Sequence, residues 1–271
     1  MISAVSRLRA LKLEIRWLLA GAGGRILLLE NAYGLPVGRA TLDLDFGVMV
    51  KSWIEFKKLK DLICSDGRFI EDAHQSQRLR YDSKGTIDLV PFGPIAKPDN
   101  KILWPPEEEV EFNVLGFEEA SDTAISLLIN ESLEVPVATP QAMLLLKFIA
   151  WQERHNIHPG RDVEDIAYIL TNGAKIVGEE KLFEVYFWAM ERAEYDTELA
   201  SAMVLGSLVK EVATARSKEY LSAILERELD HGEDSKLVFE ISGDHPAFDE
   251  SKISKALELL QNFHEGFNRK A

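Results

Sequence analysis

The stretch TLDLDFGVMV, residues 41–50, alternates apolar and polar positions at the period of a β-strand and sets two carboxylates, Asp43 and Asp45, inside it. Side chains two apart on a strand share a face, so Leu42, Leu44, Phe46 and Val48 turn to a core while Asp43 and Asp45 aim together at the other side. Neighbouring carboxylates repel, and at the margin of an apolar layer they are costly unless something positive compensates them. The chain must therefore build a sheet with one sealed face and find cations for the other. A second stretch, GTIDLVPFG at 85–93, repeats the apolar–Asp–apolar pattern at Asp88. If these two strands pair, three carboxylates meet on one patch.

The elements around them predict a mixed α/β unit. RWLLAGA is a short apolar run ending in glycines, GRILLLENAYG reads as a helix, and SWIEFKKLKDLICSDG opens on a capping serine and repeats apolar residues at helical spacing up to Gly67. From about residue 136 the pattern changes to successive amphipathic helices: TPQAMLLLKFIAWQER, DVEDIAYILTNG, EKLFEVYFWAMERA, LASAMVLGSLVKEVATA and SKEYLSAILEREL. DHGEDS reads as a loop before a last helix, ESKISKALELLQNFHEGF. Two domains are expected, 1–135 mixed α/β and 136–271 all-helical, with no internal repeat.

Charge and cysteine usage narrow the classes. With 31 basic and 45 acidic residues the formal charge is −14, which argues against a protein that coats DNA or RNA non-specifically. The single cysteine, Cys64, read as a small core residue, excludes an internal disulfide and suits a reducing compartment. Arg7, Arg9, Lys12, Glu14 and Arg16 interrupt the N-terminal apolar runs, so neither a signal-peptide core nor a membrane span is expected there. The expectation is a cytoplasmic protein.

Mg²⁺ is the cation that three carboxylates suit, because it prefers such oxygens and keeps positions for water and substrate phosphates. Two Mg²⁺ ions on Asp43, Asp45 and Asp88 can activate an attacking hydroxyl and steady a leaving pyrophosphate. The plainer alternative is a pair of exposed aspartates on a polar strand face. A competing motif is LLAGAGGRI, which resembles the dinucleotide fingerprint with Asp43 at the expected distance, but Ile26 stands at the third glycine position and Asp45 and Asp88 stay unexplained. The glycines better suit a flexible loop at a helix start, where backbone N–H groups can hold a triphosphate.

The segments from Leu18 to Ile63 and from Gln77 to Ile95, with LLKFIAWQERHNIHPGRDVEDIAYIL and YDTELASAMVLG, resemble the nucleotidyltransferase superfamily of polymerase-β-like enzymes, in particular its AbiEii/AbiGii toxin-like group. The resemblance implies a catalytic α/β domain followed by a helical domain. It places the glycine motif on Gly21 and Ala22, the metal-binding D-x-D on Asp43 and Asp45, and the third carboxylate on Asp88. Arg25 fits the motif, whereas the acid that usually follows is absent and Gly-Ala replaces the usual Gly-Ser or Gly-Gly. Lys147, Asp162 and Asp165 match positions of the family's helical domain.

Physical readings stand beside these. Lys147 shares a helical face with Leu144, Phe148, Trp151 and Arg154, and can either snorkel to solvent or reach a nucleotide phosphate. Asp162 and Asp165 also suit a helix cap and a first-turn acid. Arg39, Arg78 and Arg80 can grip a triphosphate, and the latter two can equally decorate a strand edge. His155 and His158 read as helix-end residues, and Trp104 as packing under a proline turn. The resulting expectation is transfer of a nucleoside monophosphate from an NTP to an acceptor hydroxyl on RNA, such as tRNA, or on a small molecule. A cognate antitoxin is an expected partner, and a nucleotide-binding pseudoenzyme or regulatory partner of the same fold is the alternative.

Overall fold

A strand with one apolar edge needs neighbours to seal it, and the computed structural model supplies them. It describes residues 6, 15–38, 41, 43–81, 85–105, 110–131, 133–243 and 249–270. The chain divides into two compact units, one of residues 1–32 and 36–139 and one of residues 33–35 and 140–271. The division after Thr139 leaves the strand Leu133–Val137 whole, where a boundary at 135/136 would cut it.

In the first unit the strands are β1 (Trp17–Ala20), β2 (Asp43–Met49), β3 (Phe69–Glu71), β4 (Arg78–Tyr81), β5 (Gly85–Phe92), β6 (Lys101–Leu103), β7 (Glu111–Asn113), β8 (Ile125–Asn130) and β9 (Leu133–Val137). Among the described residues seven of them form one sheet in the order β3-β4-β5-β2-β1-β9-β8, and β6 and β7 pair apart. The central β2 and β5 run parallel, while β1 is antiparallel to β2 and β4 to β5. Parallel neighbours need a crossover, and the helix Trp53–Cys64 begins it. Ser52 caps that helix by accepting the Glu55 N–H at 3.3 Å, while the Glu55 carboxylate accepts the Lys51 N–H, a variant of the capping box. The antiparallel β1–β2 pair excludes the dinucleotide fold, whose fingerprint joins parallel strands.

Alternation in β2 is as the sequence implies. Leu44, Phe46 and Val48 are buried, whereas Asp43 and Asp45 are half-buried on the other face. Each fully buried side chain of this size stabilises the fold by about 1.5–3 kcal/mol, so a one-residue slip of β2 is strongly disfavoured. Trp104 packs against Trp53 and Phe56 of the helix 53–64, with ring centroids 5.1 and 5.8 Å away. Cys64 is half-buried rather than fully in the core. The stretch after β1 is a short helix, Gly21–Arg25, that widens into a π-helix over Ile26–Ala32.

The second unit is helical: Pro140–Arg154, Val163–Thr171, Gly173–Val177, Glu179–Glu184, Phe187–Arg192, Thr197–Val212, Ala215–Asp230, Lys236–Ile241 and Glu250–Asn268. Its spine is the crossing of 197–212 with 250–268. A Cβ on Gly206 would lie 1.9 Å from the Phe263 carbonyl oxygen, and one on Gly266 1.7 Å from that of Met203, so the two backbones touch where only glycine fits. The single helix expected over 180–193 is two, because the Val185 and Tyr186 N–H groups both donate to the Lys181 carbonyl and end the first. The expected loop at 230–235 leads into one further short helix, 236–241. Ser235 caps it at Val238 N–H, and the buried Glu228 accepts from the Ser235 hydroxyl and the Leu237 N–H. Among the described residues no helix is long and apolar enough to cross a membrane.

Candidate active site

Strand register assembles the acids. Asp45 stands opposite Ala20 of β1 on one side and Asp88 of β5 on the other, and Asp88 stands opposite Arg78 of β4. Partners in register share a face, so Ala20, Asp45, Asp88 and Arg78 form a row across four strands. Asp43, two residues before Asp45, belongs to the same face, as does its register partner Thr86.

Each acid is held differently. Asp43 accepts a hydrogen bond from the Thr86 hydroxyl and lies 3.9 Å from the Arg78 guanidinium. Asp45 packs over the backbone of Gly21: a Cβ there would sit 2.0 Å from Asp45 Oδ2, and Gly21 itself is at φ +58°, so any side chain is excluded on both counts. Asp88 is nearly buried and accepts two bonds from Arg78, Nε to Oδ1 and a terminal nitrogen to Oδ2, both 2.7 Å. That bidentate pairing is the main reason the Arg78 pKa is raised further above its ordinary value. Strand-edge decoration describes Arg80, which pairs with Asp72, but not Arg78. Sequence reasoning missed Thr86 and the Arg78–Asp88 pair. The signal for the pair was present, since Arg78 and Asp88 are equally far from the Tyr81–Gly85 end of a hairpin.

The glycine region departs from expectation. No loop separates β1 from the following helix, because Gly21 begins it directly after Ala20. Gly21 does lie beside Asp45, and Ala22 follows it in the first turn of the helix. Arg25 is buried and forms an ion pair with Glu30 at 2.5 Å, and Glu30 also accepts the Gly38 N–H. The Arg25 guanidinium is only 2% exposed and is held in the interior by Glu30. Arg39 lies outside the described residues.

Lys147 belongs to the helical unit. Its ammonium donates to Asp162 Oδ1 at 3.0 Å and meets Asp165 Oδ2 at 2.6 Å. Arg154 closes on Asp162 with two further bonds of 2.6 and 2.8 Å. Lys147 therefore does not snorkel to solvent, and Asp162, although at the N-cap position of helix 163–171, makes no side-chain cap. Burial would raise the Asp162 pKa, but the Arg154 hydrogen bonds and the Lys147 charge outweigh it and bring it down to about 2. Burial likewise opposes the Lys147 charge, and Asp165 and Asp162 more than restore it, leaving its pKa raised. His155 stacks on Trp151, with centroids 4.4 Å apart, and its Nδ1 lies 2.8 Å from the Trp151 carbonyl.

On the sheet face the donor set is that of a hard divalent cation: carboxylates only, on adjacent strands, with a hydroxyl behind one of them. A guanidinium has been drawn in to neutralise it. The three acids nonetheless do not close on one point, and among the described residues no three His, Cys, Asp or Glu side chains stand ready to hold a metal ion together. Asp88 is pulled toward Arg78 instead.

Residues 5–251 match the family described as nucleotidyl transferase AbiEii toxin, type IV toxin–antitoxin system. No curated protein matches the chain. Among solved structures, that of the antibiotic-resistance factor ANT(2'')-Ia is similar at 13% identity and a TM-score of 0.36, over 72% of this chain and 95% of that one. At that level no residue of one can be placed on the other.

Proposed function

Because this chain belongs to the AbiEii family of nucleotidyl transferase toxins of type IV toxin–antitoxin systems, we propose that it is a cytoplasmic, Mg²⁺-dependent enzyme that transfers a nucleoside monophosphate from the acid row of its sheet. The acceptor hydroxyl oxygen bonds to the α-phosphorus of an NTP, the bond from that phosphorus to the bridging oxygen breaks, and pyrophosphate leaves. The observation that supports this reading best is the register of Asp45 with Asp88, which brings the third carboxylate beside the D-x-D pair. Asp43, Asp45 and Asp88 are the residues that would hold Mg²⁺, two ions in the family pattern. When bound, it neutralises phosphate charge and makes the acceptor hydroxyl easier to deprotonate. Asp88 helps take the acceptor's proton.

Gly21 and Ala22 approach the phosphates through their backbone, Gly21 because no side chain stands there. Lys147, which the family resemblance assigns to the nucleotide, is held as a fixed charge by Asp162 and Asp165. The acceptor is an RNA such as tRNA, or a small molecule, and the regulatory partner is a cognate antitoxin. The Arg78 clamp on Asp88 favours one second reading, a protein that binds nucleotide without turnover.

Incubation with each α-labelled NTP, Mg²⁺ and total cellular RNA, beside Asp43→Asn, tests the assignment. Label in RNA from the unaltered chain alone is expected for an RNA acceptor. A small-molecule acceptor gives pyrophosphate release only when that acceptor is added. Equal labelling by Asp43→Asn contradicts the assignment, and nucleotide binding with no product under any acceptor selects the second reading.

A further inference from the structure

Two aromatic rings of the helical unit stand in solvent and touch each other. Phe187, the first residue of the helix Phe187–Arg192, is 43% exposed, and Tyr195, just past the end of that helix, is 59% exposed. Their ring centroids lie 6.2 Å apart at an interplanar angle of 61°. Phe183 and Val185, shortly before Phe187 in the chain, are exposed as well. The neighbouring Trp188 is covered, by Arg269 at 4.2 Å over its ring, whereas among the described residues no cation lies over Phe187 or Tyr195. The backbone holds Tyr195 outward at a cost. Glu194 and Tyr195 are consecutive non-glycine residues with φ of +49° and +66°, a left-handed conformation that glycine adopts without strain. The turn is fixed by the Tyr195 N–H, which donates to the Met190 carbonyl at 2.8 Å, and by the Asp196 N–H, which donates to that of Ala193 at 2.9 Å. A glycine at position 195 would make the same bond, so the turn itself does not call for a ring there.

We infer that Phe187 and Tyr195 anchor a docking surface for a basic segment of another protein, one that carries an apolar side chain among its lysines or arginines. The surface is separate from nucleotidyl transfer and does not depend on it. Charge selects the occupant. Residues 179–198 hold seven acids and two bases, and of the bases Arg192 is already paired with Glu265. Glu179, Glu180, Glu184, Glu191 and Glu194 are exposed, and among the described residues none of them enters an ion pair. Glu191 lies four residues after Phe187 on the same helix and shares its face, and Glu194 adjoins Tyr195. The phosphates of a nucleic acid or of an anionic membrane would be repelled here. A second copy of this chain, with the same acids and a formal charge of −14, would set carboxylate against carboxylate. A basic segment answers both features, since its cations meet the carboxylates or the ring faces and its apolar side chain covers the rings.

The probe is a library of random peptides displayed on phage and selected on the full chain, with the selected peptides then synthesised and titrated by fluorescence polarisation. They are expected to be basic and to carry an aromatic or aliphatic residue. Each should bind Tyr195→Gly and Phe187→Ser at least about tenfold more weakly than the unaltered chain, and the double variant Glu191→Gln, Glu194→Gln about threefold more weakly. Tyr195→Gly separates docking from folding, because glycine takes φ +66° freely. Its melting midpoint should equal that of the unaltered chain or exceed it by about 2 °C. A lower midpoint would make the ring part of the fold and overturn the inference. Should Phe187→Ser fail to fold, Tyr195→Gly decides alone. Equal binding by the unaltered chain and Tyr195→Gly overturns the inference, as does a selection that returns acidic peptides or none. A dimer in sedimentation that Tyr195→Gly dissolves would give the surface to a second copy, and single-stranded RNA binding that Tyr195→Gly weakens would give it to a nucleic acid. Either result overturns the assignment to a basic protein segment.

Discussion

Two clusters in this molecule set aspartates against basic side chains, and they differ in how far water reaches them. On the sheet, Asp43 and Arg78 are partly open, at 34% and 22% exposed, while Asp88 is 12% exposed. In the helical unit, Lys147 and the carboxylates of Asp162 and Asp165 are nearly sealed, with only the outer Arg154 substantially exposed. The same ion-pair chemistry has opposite consequences in the two places. Where water enters, partners can be exchanged for a metal or a phosphate at modest cost. A sealed pair cannot lose a partner without stranding a buried charge. The second cluster holds Lys147 still.

That contrast can be broken in steps of decreasing size. Asp88→Asn should lower nucleotidyl transfer on the order of a thousandfold, about 4 kcal/mol in the barrier, with little change in the unfolding midpoint, as assayed by labelled transfer and thermal melting. Marked unfolding would make the acid row structural. Asp162→Ala should do the reverse in the helical unit and cost about 3 kcal/mol of stability in urea titration, because Lys147 and Arg154 lose their shared partner.

The pH dependence sharpens the same point. The Asp162 pKa is lowered to about 2 in the folded chain, so its contribution to stability is fully present above the ordinary carboxylate range and is lost as pH falls from about 4 through 2. A loss of about 2 kcal/mol over that window is expected in the unaltered chain and should be absent in Asp162→Asn. Smallest is Thr86→Val, which removes the hydroxyl donated to Asp43. A drop of about fivefold in transfer, roughly 1 kcal/mol, is expected from steady-state kinetics.

The acids of the sheet were legible in the sequence because strand alternation is a strict rule: Leu44, Phe46 and Val48 inward fixes Asp43 and Asp45 outward. Ser52 and the helix it caps were legible for a similar reason, since capping chemistry is local. The sealed cluster was not, because Lys147 meets Asp162 and Asp165 only through the turn at 155–162, whose path no periodicity encodes. β8 and β9 were missed as well. ISLLIN and LEVPV are too short to separate from loop without knowing that β9 lies beside β1. Arg25 shows the limit of motif reading: its position matched, but Glu30 five residues on draws it inside.

The most direct test of the acid row as the ligand site is calorimetric titration of Mg²⁺ with a non-hydrolysable NTP analogue into Asp45→Asn and the unaltered chain, both confirmed folded by melting. A binding isotherm for the unaltered chain and affinity weakened tenfold or more, on the order of 1.4 kcal/mol, for Asp45→Asn is the expected result. Equal affinity in the two folded chains would contradict it and place the nucleotide elsewhere.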